Sequence, residues 1–527
     1  MIDRLAYLYP EIILFVTTCA VMVVGLSKSA ASRRATPFIA GLGLVVSAIS
    51  AYTTTPVGEV VNASMGQTML PSLAMYSKVM IALVALLLLA LAAGTVDRHE
   101  EDLVASGKAS FNPLRTNRAE FYAFFLFSIT GLMLCASADD LIWLFLALEL
   151  TSLPTYIMVT ISSSRDRAKE AGVKYFFLGA LGAAVFLYGF ALIYGGTGST
   201  KLNAIHEAIS TGGLNAITLA GVMLALVGFA FKIAAVPMHF YTADVYEGAA
   251  APVSAFLAFV PKTAGFLAII LLCATIGWTG HEGVDHGLPV AVRVVLWVIA
   301  ALTMTVGNVL AILQSSVKRI LAYSSVAHSG YMLVGVIAGP GDGSFSRNGI
   351  AAVLFYLAAY GVMNVGAFAV VAALEKSPDR DSKGEPREID RVEDLRGLCS
   401  SHPLLGWTMV LSSLSLLGFP PLLGFWGKLP LFTSAISARE ITLVIVLGLN
   451  SAIAAFYYLR LMSAPLLEAA TPTQDALARS PFQARRVAAA ISAVGVIVLA
   501  VFAGRIMSAS ESAASLRDSS RPTAQAD

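Results

Sequence analysis

FAFKIAAVP, residues 229–237, and LGFPPLLGFWGKLP, residues 417–430, decide how this chain folds. Each lies in a run apolar enough to cross a bilayer, each is interrupted by proline or glycine, and each holds a lysine, Lys232 or Lys428. Proline and glycine are common in transmembrane helices generally, but a lysine beside both interruptions favours a functional reading. An ammonium at the bilayer centre costs about 2.5–3.5 kcal/mol on insertion scales, so a chain that places several there is predicted to use them. The two stretches lie five spans apart and therefore run in opposite directions. That is the mark of an inverted-topology repeat with discontinuous helices.

Composition agrees. Of the 527 residues, 57% are hydrophobic and 13% charged, and runs such as VMIALVALLLLALAAG at 79–94 are solvated only by lipid. The near-balanced net charge of +2 points to no nucleic-acid partner. Four cysteines without CxxC or ligand-like spacing argue against iron–sulfur, zinc or disulfide frameworks, and no GxGxxG follows a strand-like run. No cofactor is expected on this chain. The apolar N-terminus, followed by many further spans, reads as an uncleaved first helix rather than a signal peptide.

Counting runs long enough to cross the hydrocarbon layer gives an all-α, polytopic fold of about fourteen transmembrane helices, the seventh and twelfth discontinuous. The spans are predicted near residues 10–27, 36–54, 72–94, 120–136, 139–161, 170–195, 214–236, 249–276, 289–314, 321–338, 348–374, 403–437, 441–463 and 484–506. The predicted organisation is three N-terminal spans over 1–119, a first repeat over 120–276, a second over 277–463, and a last span with a disordered tail from Ser508 over 464–527. Lys and Arg gather in alternate loops, among them Arg33 and Arg34, Arg165 and Arg167, Lys318 and Arg319, and Arg485 and Arg486. That side is predicted cytoplasmic, which puts both termini outside. The polar stretch SPDRDSKGEPREIDRVEDLRGL on the same side is read as solvated surface.

Charge at membrane depth carries the chemistry. Burial favours a neutral amine and a nearby carboxylate favours the charged form, so a lysine that approaches and leaves a carboxylate is a switchable proton site. Glu149, in WLFLALELTSLP at 143–154, is such a carboxylate, and Lys232 and Lys262 are deep lysines for it to serve. His239 follows Lys232 by seven residues and would share its helical face if Pro237 left the register intact. For both His239 and His328, in the hydroxyl-rich YSSVAHSGYM, a hydrogen-bonded structural histidine fits as well as a relay. Lys174 lies close enough to a membrane face to snorkel. Lys78 is set aside on the same ground. Lys318 and Arg319 are read as topology-fixing residues, and Asp139 and Asp140 as a turn at the outer interface.

Three runs carry a resemblance: FKIAAVPMHFYTADVYEGAAAPVSAFLAFVPKTAGF at 231–266, SSVKRILAYSSVAHSGYMLVG at 315–335 and SLLGFPPLLGFWGK at 415–428. Together they resemble the antiporter-like membrane subunits of respiratory complex I (NADH-quinone oxidoreductase), in their N-type form, from the fourth span through the thirteenth. Lys428 stands where the M-type carries glutamate, the chain lacks the long lateral helix of the L-type, and three leading spans are present as in bacterial members. One departure is Gly248-Ala-Ala-Ala-Pro-Val-Ser254, where the family reads Gly-Ala-Pro-Ala-Pro-Val-Ser.

The resemblance implies a gating pair at Glu149 and Lys232, a central relay lysine at Lys262, an outer-exit lysine at Lys428, and accessory polar positions at Lys174, His239 and His328. It implies proton translocation across a bacterial inner membrane, with flavin, iron–sulfur clusters and quinone on other chains and M-type and K-type membrane subunits as neighbours. A subunit of a multisubunit cation/proton antiporter is the alternative, and a non-conducting spacer of the membrane arm a third.

Overall fold

The computed structural model describes residues 7–54, 70, 72–96, 104, 106–108, 110, 112, 117–163, 165–278, 287–341, 343–374, 390–469 and 483–515. The N-terminal helices are α1 (Tyr9–Gly25), α2 (Ala30–Arg34), α3 (Thr36–Thr54) and α4 (Leu73–Ala92). Then come α5 (Arg118–Ala136), α6 (Leu141–Ile161), α7 (Asp166–Thr197), the short α8 (Leu202–Gly212), α9 (Ala216–Lys232), α10 (Thr242–Gly248) and α11 (Ala251–Ile276). Following these are α12 (Val290–Ile312), α13 (Val317–Ala338), α14 (Gly349–Leu374), the single turn α15 (Leu398–Ser401), α16 (Pro403–Leu417), α17 (Leu423–Ser437), α18 (Ile441–Leu467), α19 (Gln483–Val501) and α20 (Ala503–Ala513). Among the described residues, eleven helices are long and apolar enough to span a membrane, and α1, α9 and α16 are shorter apolar helices that complete the fourteen predicted spans.

Local chemistry sets several ends. Asp140 caps α6 by accepting from the Ile142 N–H at 2.7 Å, and takes the Thr200 hydroxyl at 2.6 Å on its other oxygen. Asn215 caps α9 through the Thr218 N–H, and Ser316 caps α13 through the Arg319 N–H. Helix α7 ends on Gly198 at φ 74°, a left-handed C-cap.

Both predicted discontinuities are present. Helix α9 stops at Lys232 and the chain resumes helical form at Thr242, while α16 stops at Leu417 and α17 begins at Leu423.

Burial sorts the helices. Every residue of α11 is buried, and α13 and α14 are buried along nearly their whole length, so these three form the centre. Helices α3, α12, α18 and α19 instead expose large apolar side chains such as Phe38, Leu302, Ile445 and Val501, as lipid-facing helices do. Small residues bring backbones together: a Cβ on Gly221 of α9 would lie 2.6 Å from the Gly189 carbonyl oxygen of α7.

One expectation changes: the tail predicted as disordered from Ser508 continues as helix to Ala513, tied by the Ser510 hydroxyl to the Tyr76 hydroxyl at 2.9 Å. Lys318, in the first turn of α13, is buried within the protein and donates to the Glu247 and Ala249 carbonyls at 2.7 and 3.1 Å, closing the C-terminal end of α10. Most of the polar stretch, residues 377–389, lies outside the described residues.

Candidate functional site

The site grows out of the first break. Pro237 has no N–H, so the Ile233 carbonyl four residues earlier loses the donor a continuous helix would give it. Ala234 adopts a left-handed φ of 56° and the chain leaves the helix. In a membrane the freed backbone groups need partners from the protein, and neighbouring helices supply them. The Ser329 hydroxyl of α13 donates to the Ile233 carbonyl at 2.5 Å, with the Lys262 ammonium of α11 at 3.5 Å from the same oxygen. The Tyr241 hydroxyl donates to the Phe231 carbonyl at 2.8 Å, and the Val236 N–H donates to the Thr303 hydroxyl of α12 at 3.0 Å.

Lys232, the last residue of α9, points at α6. Its ammonium lies 3.1 Å from a Glu149 carboxylate oxygen and also donates to the Ser152 hydroxyl. Glu149 and Ser152 are three residues apart, which puts them on one helical face. The lysine side chain is 2% exposed and the Glu149 side chain 17%, so the pair is largely desolvated. The Phe186 ring of α7 closes over the ammonium with its centroid at 5.5 Å.

Lys262 follows Pro261 in the fully buried α11 and donates to the Ser325 carbonyl and the Ser329 hydroxyl of α13. Its helix packs directly on the break: a Cβ on Gly265 would meet Ile233 Cγ2 at 2.6 Å and Lys232 Cβ at 3.0 Å. Only glycine leaves room there for the backbone turn that carries Lys232.

From Lys262 a line of aromatic rings leads to Lys428. The Lys262 ammonium is 5.8 Å from the Tyr360 centroid, Tyr360 is 5.1 Å from the His328 ring, His328 is 5.4 Å from Tyr331, and Tyr331 is 4.9 Å from the Lys428 ammonium. His328 is fully buried, with Nδ1 2.6 Å from the Tyr356 hydroxyl and Nε2 2.8 Å from the Tyr458 hydroxyl. Both ring nitrogens therefore sit in hydrogen bonds with groups that donate or accept, and Ser324 extends the chain beyond Tyr458. Lys428, in the second half-helix α17, donates at 2.8 Å to the Leu417 carbonyl. Leu417 stands four residues before Pro421 and is orphaned just as Ile233 is.

Of the residues singled out from sequence, Glu149, Lys232, Lys262, His328 and Lys428 come together in this row. Two do not. Lys174 is exposed at the end where the basic loops gather, paired with Glu170 at 2.7 Å and Asp244 at 3.1 Å. Arg319 joins the same cluster through Asp244 at 3.2 Å and Glu247 at 2.8 Å, so Lys174 and Arg319 hold α10 in place from two sides. His239 lies half-buried in the connection between α9 and α10, where the lost helical register separates it from the face of Lys232.

Sequence reading missed two features. Lys78, expected to snorkel, is wholly buried and ion-paired with Glu11 of α1 at 2.8 Å. Beside Lys428, a buried amide cluster joins Tyr331: Asn308 donates to its hydroxyl at 2.9 Å and to the Asn450 carbonyl at 3.1 Å, and takes the Tyr457 hydroxyl at 2.9 Å. Asparagines at membrane depth in two separate spans are the sequence signal that points to it.

Residues 138–454 match the family model described as NADH:quinone oxidoreductase/Mrp antiporter, TM. NADH-quinone oxidoreductase subunit N of Trichlorobacter lovleyi is 37% identical over 462 residues, covering 87% of each chain. A chain of respiratory complex I from Thermus thermophilus with bound aureothin superposes with a TM-score of 0.72 at 31% identity, over 95% of this chain and 98% of that one. A chain of the Mrp complex from a Dietzia species shares the fold at TM-score 0.77 and 22% identity, over 97% of both chains. With a family model spanning more than half of its length and curated relatives matched over most of theirs, this chain belongs to the NADH:quinone oxidoreductase/Mrp antiporter transmembrane family, among the N subunits of NADH-quinone oxidoreductase.

Proposed function

We propose that this chain is a proton-translocating, non-redox membrane subunit of NADH:quinone oxidoreductase, in which electron transfer on other chains drives proton movement through the lysine row. The observation that carries the reading is the buried Lys232–Glu149 pair at the end of a broken helix, followed by a line of titratable and aromatic side chains to Lys428. At 4 Å two unit charges attract by about 4 kcal/mol at an effective dielectric near 20. A shift of Glu149 away from Lys232 therefore leaves a buried ammonium short of its counter-charge and drives the proton onward. A return of the carboxylate favours uptake of the next one. Lys232 stands where the helix is interrupted, so its ammonium meets Glu149 from a helix end rather than from within a continuous span.

In this reading Lys262 receives the proton, His328 and its tyrosines bridge, and Lys428 delivers it toward the outer side. Lys174 and His239 serve as accessory polar positions, Lys174 by anchoring α10. Residues 120–276 and 277–463 act as the two repeats, flanked by the helices of 1–119 and the last span of 464–527. The basic loops face the cytoplasm of a bacterial inner membrane and both termini face outward. Flavin, iron–sulfur clusters and quinone belong to other subunits, and M-type and K-type membrane subunits are the neighbours.

The test is the number of protons moved per electron by the assembled complex in proteoliposomes, with Lys232→Ala and Glu149→Ala compared with the parent. A fall in both supports the assignment, and an unchanged ratio in either removes it. Copurification with flavin and iron–sulfur proteins separates this reading from a free-standing antiporter.

A further inference from the structure

The two breaks are built on the same device, with one difference. In each, the carbonyl four residues before a proline has lost its helical donor, Ile233 before Pro237 and Leu417 before Pro421. In each, a lysine from the proton row reaches that oxygen, Lys262 at 3.5 Å and Lys428 at 2.8 Å. It is Lys262, not Lys232, that stands to the first break as Lys428 stands to the second. The difference is the Ser329 hydroxyl, which donates to the Ile233 carbonyl at 2.5 Å while itself accepting from Lys262. Among the described residues, the Leu417 carbonyl accepts from Lys428 alone.

We infer that Ser329 is a positioning residue for proton transfer: its hydroxyl holds the Ile233 carbonyl, and with it the end of α9 that carries Lys232, while Lys262 gains and loses its proton. The inference rests on the proposed proton route. Hydrogen bonds from an ammonium are roughly twice as strong as those between neutral groups, so a break held only by a lysine loosens when that lysine becomes neutral. The first break has a second donor that does not titrate. Ser329 is fully buried on α13, and its hydroxyl lies 2.5 Å from the Ile233 oxygen, against 3.5 Å for the Lys262 ammonium and 3.2 Å for the hydroxyl's other acceptor, the Ser325 carbonyl, so the neutral bond is the main tie at this break and persists when Lys262 loses its charge. The second break lacks this, and its geometry follows the charge on Lys428.

Assembled complex carrying Ser329→Ala, Ser329→Val or Ser329→Thr separates the hydroxyl from the shape of the side chain, since valine and threonine differ mainly in that group. Two quantities are read: protons moved per electron in proteoliposomes, and amide hydrogen exchange at 233–236. Ala and Val are expected to speed exchange there by roughly tenfold, the equivalent of one hydrogen bond, and to lower proton movement several-fold, while Thr restores both toward the parent values. Parent-like exchange and proton movement in Ser329→Ala, in a complex where Lys232→Ala still stops proton movement, would overturn the inference and leave the route standing. Equal loss in the Thr and Val variants would also overturn it. Normal proton movement in Lys232→Ala would instead remove the route on which the inference rests.

Discussion

Among the described residues, two lysine–glutamate pairs have a buried lysine, and they are built for different ends. Lys78 and Glu11 sit 2.8 Å apart with side chains 0% and 5% exposed, on two uninterrupted helices. The Lys78 ammonium is further fixed by the Tyr7 carbonyl at 3.0 Å and the Tyr7 ring at 4.4 Å. Lys232 and Glu149 are 3.1 Å apart, but the lysine ends a broken helix, a serine hydroxyl shares its ammonium, and the glutamate is 17% exposed. Burial of a charge therefore does not by itself mark function. What distinguishes the second pair is its place at the end of an interrupted helix and the line of side chains beyond it.

The largest expected effect falls on the static pair. Lys78→Ala leaves Glu11 as an uncompensated buried charge, and breaking such a pair from one side costs about 3–5 kcal/mol, which would show as loss of assembled subunit and a lower thermal midpoint. Replacing both partners, Lys78→Met with Glu11→Leu, is expected to restore assembly to within about 1 kcal/mol, because a packed apolar pair substitutes well for a buried ion pair. The comparison breaks if the double variant assembles but loses proton movement.

A smaller stability change, with a larger functional one, is expected at the Lys232–Glu149 pair. Glu149→Gln keeps the shape and removes the charge, so proton movement per electron should fall while assembly stays near that of the parent. Next comes Gly265→Ala, whose Cβ would press on Ile233 and Lys232. Overpacking of this kind costs typically about 1–3 kcal/mol, and here it should also impair proton movement, because the strain lands on the break. Parent-like activity in Gly265→Ala would mean that the break is looser than the packing indicates. The smallest effect is expected at Lys174→Ala, since exposed ion pairs contribute about 0–1 kcal/mol, with a slight drop in thermal midpoint measured at low salt and a smaller one at high salt.

Much of this is legible in the sequence, for identifiable reasons. Proline at 237 and at 420–421, in apolar runs that also hold Lys232 and Lys428, points to interrupted helices, although proline alone does not decide it, since Pro154 and Pro261 lie inside the unbroken α6 and α11. Glu149 stands out because a carboxylate in an apolar span is costly to insert and marks a site by default. Other features depend on three-dimensional packing. Glu11, next to Pro10 at the start of α1, looks interfacial until Lys78 is seen to reach it across two helices. The resemblance puts Lys174 among the accessory polar positions, and α7, which begins at Asp166, leaves it near a helix end among exposed carboxylates. The sequence pattern sets one lysine beside each break, Lys232 and Lys428, as though equivalent. The structure shows Lys232 ending the first half-helix and Lys428 inside the second, with Lys262 filling the equivalent bonding role, an exchange no linear motif displays.

The most direct test sets the two pairs side by side in one assembled complex, reading protons moved per electron for Lys232→Ala and for the Lys78→Met, Glu11→Leu double variant. A clear fall is expected in the first and the parent ratio in the second. A parent ratio in Lys232→Ala, or an equal fall in both, would contradict the division into a static and a working pair.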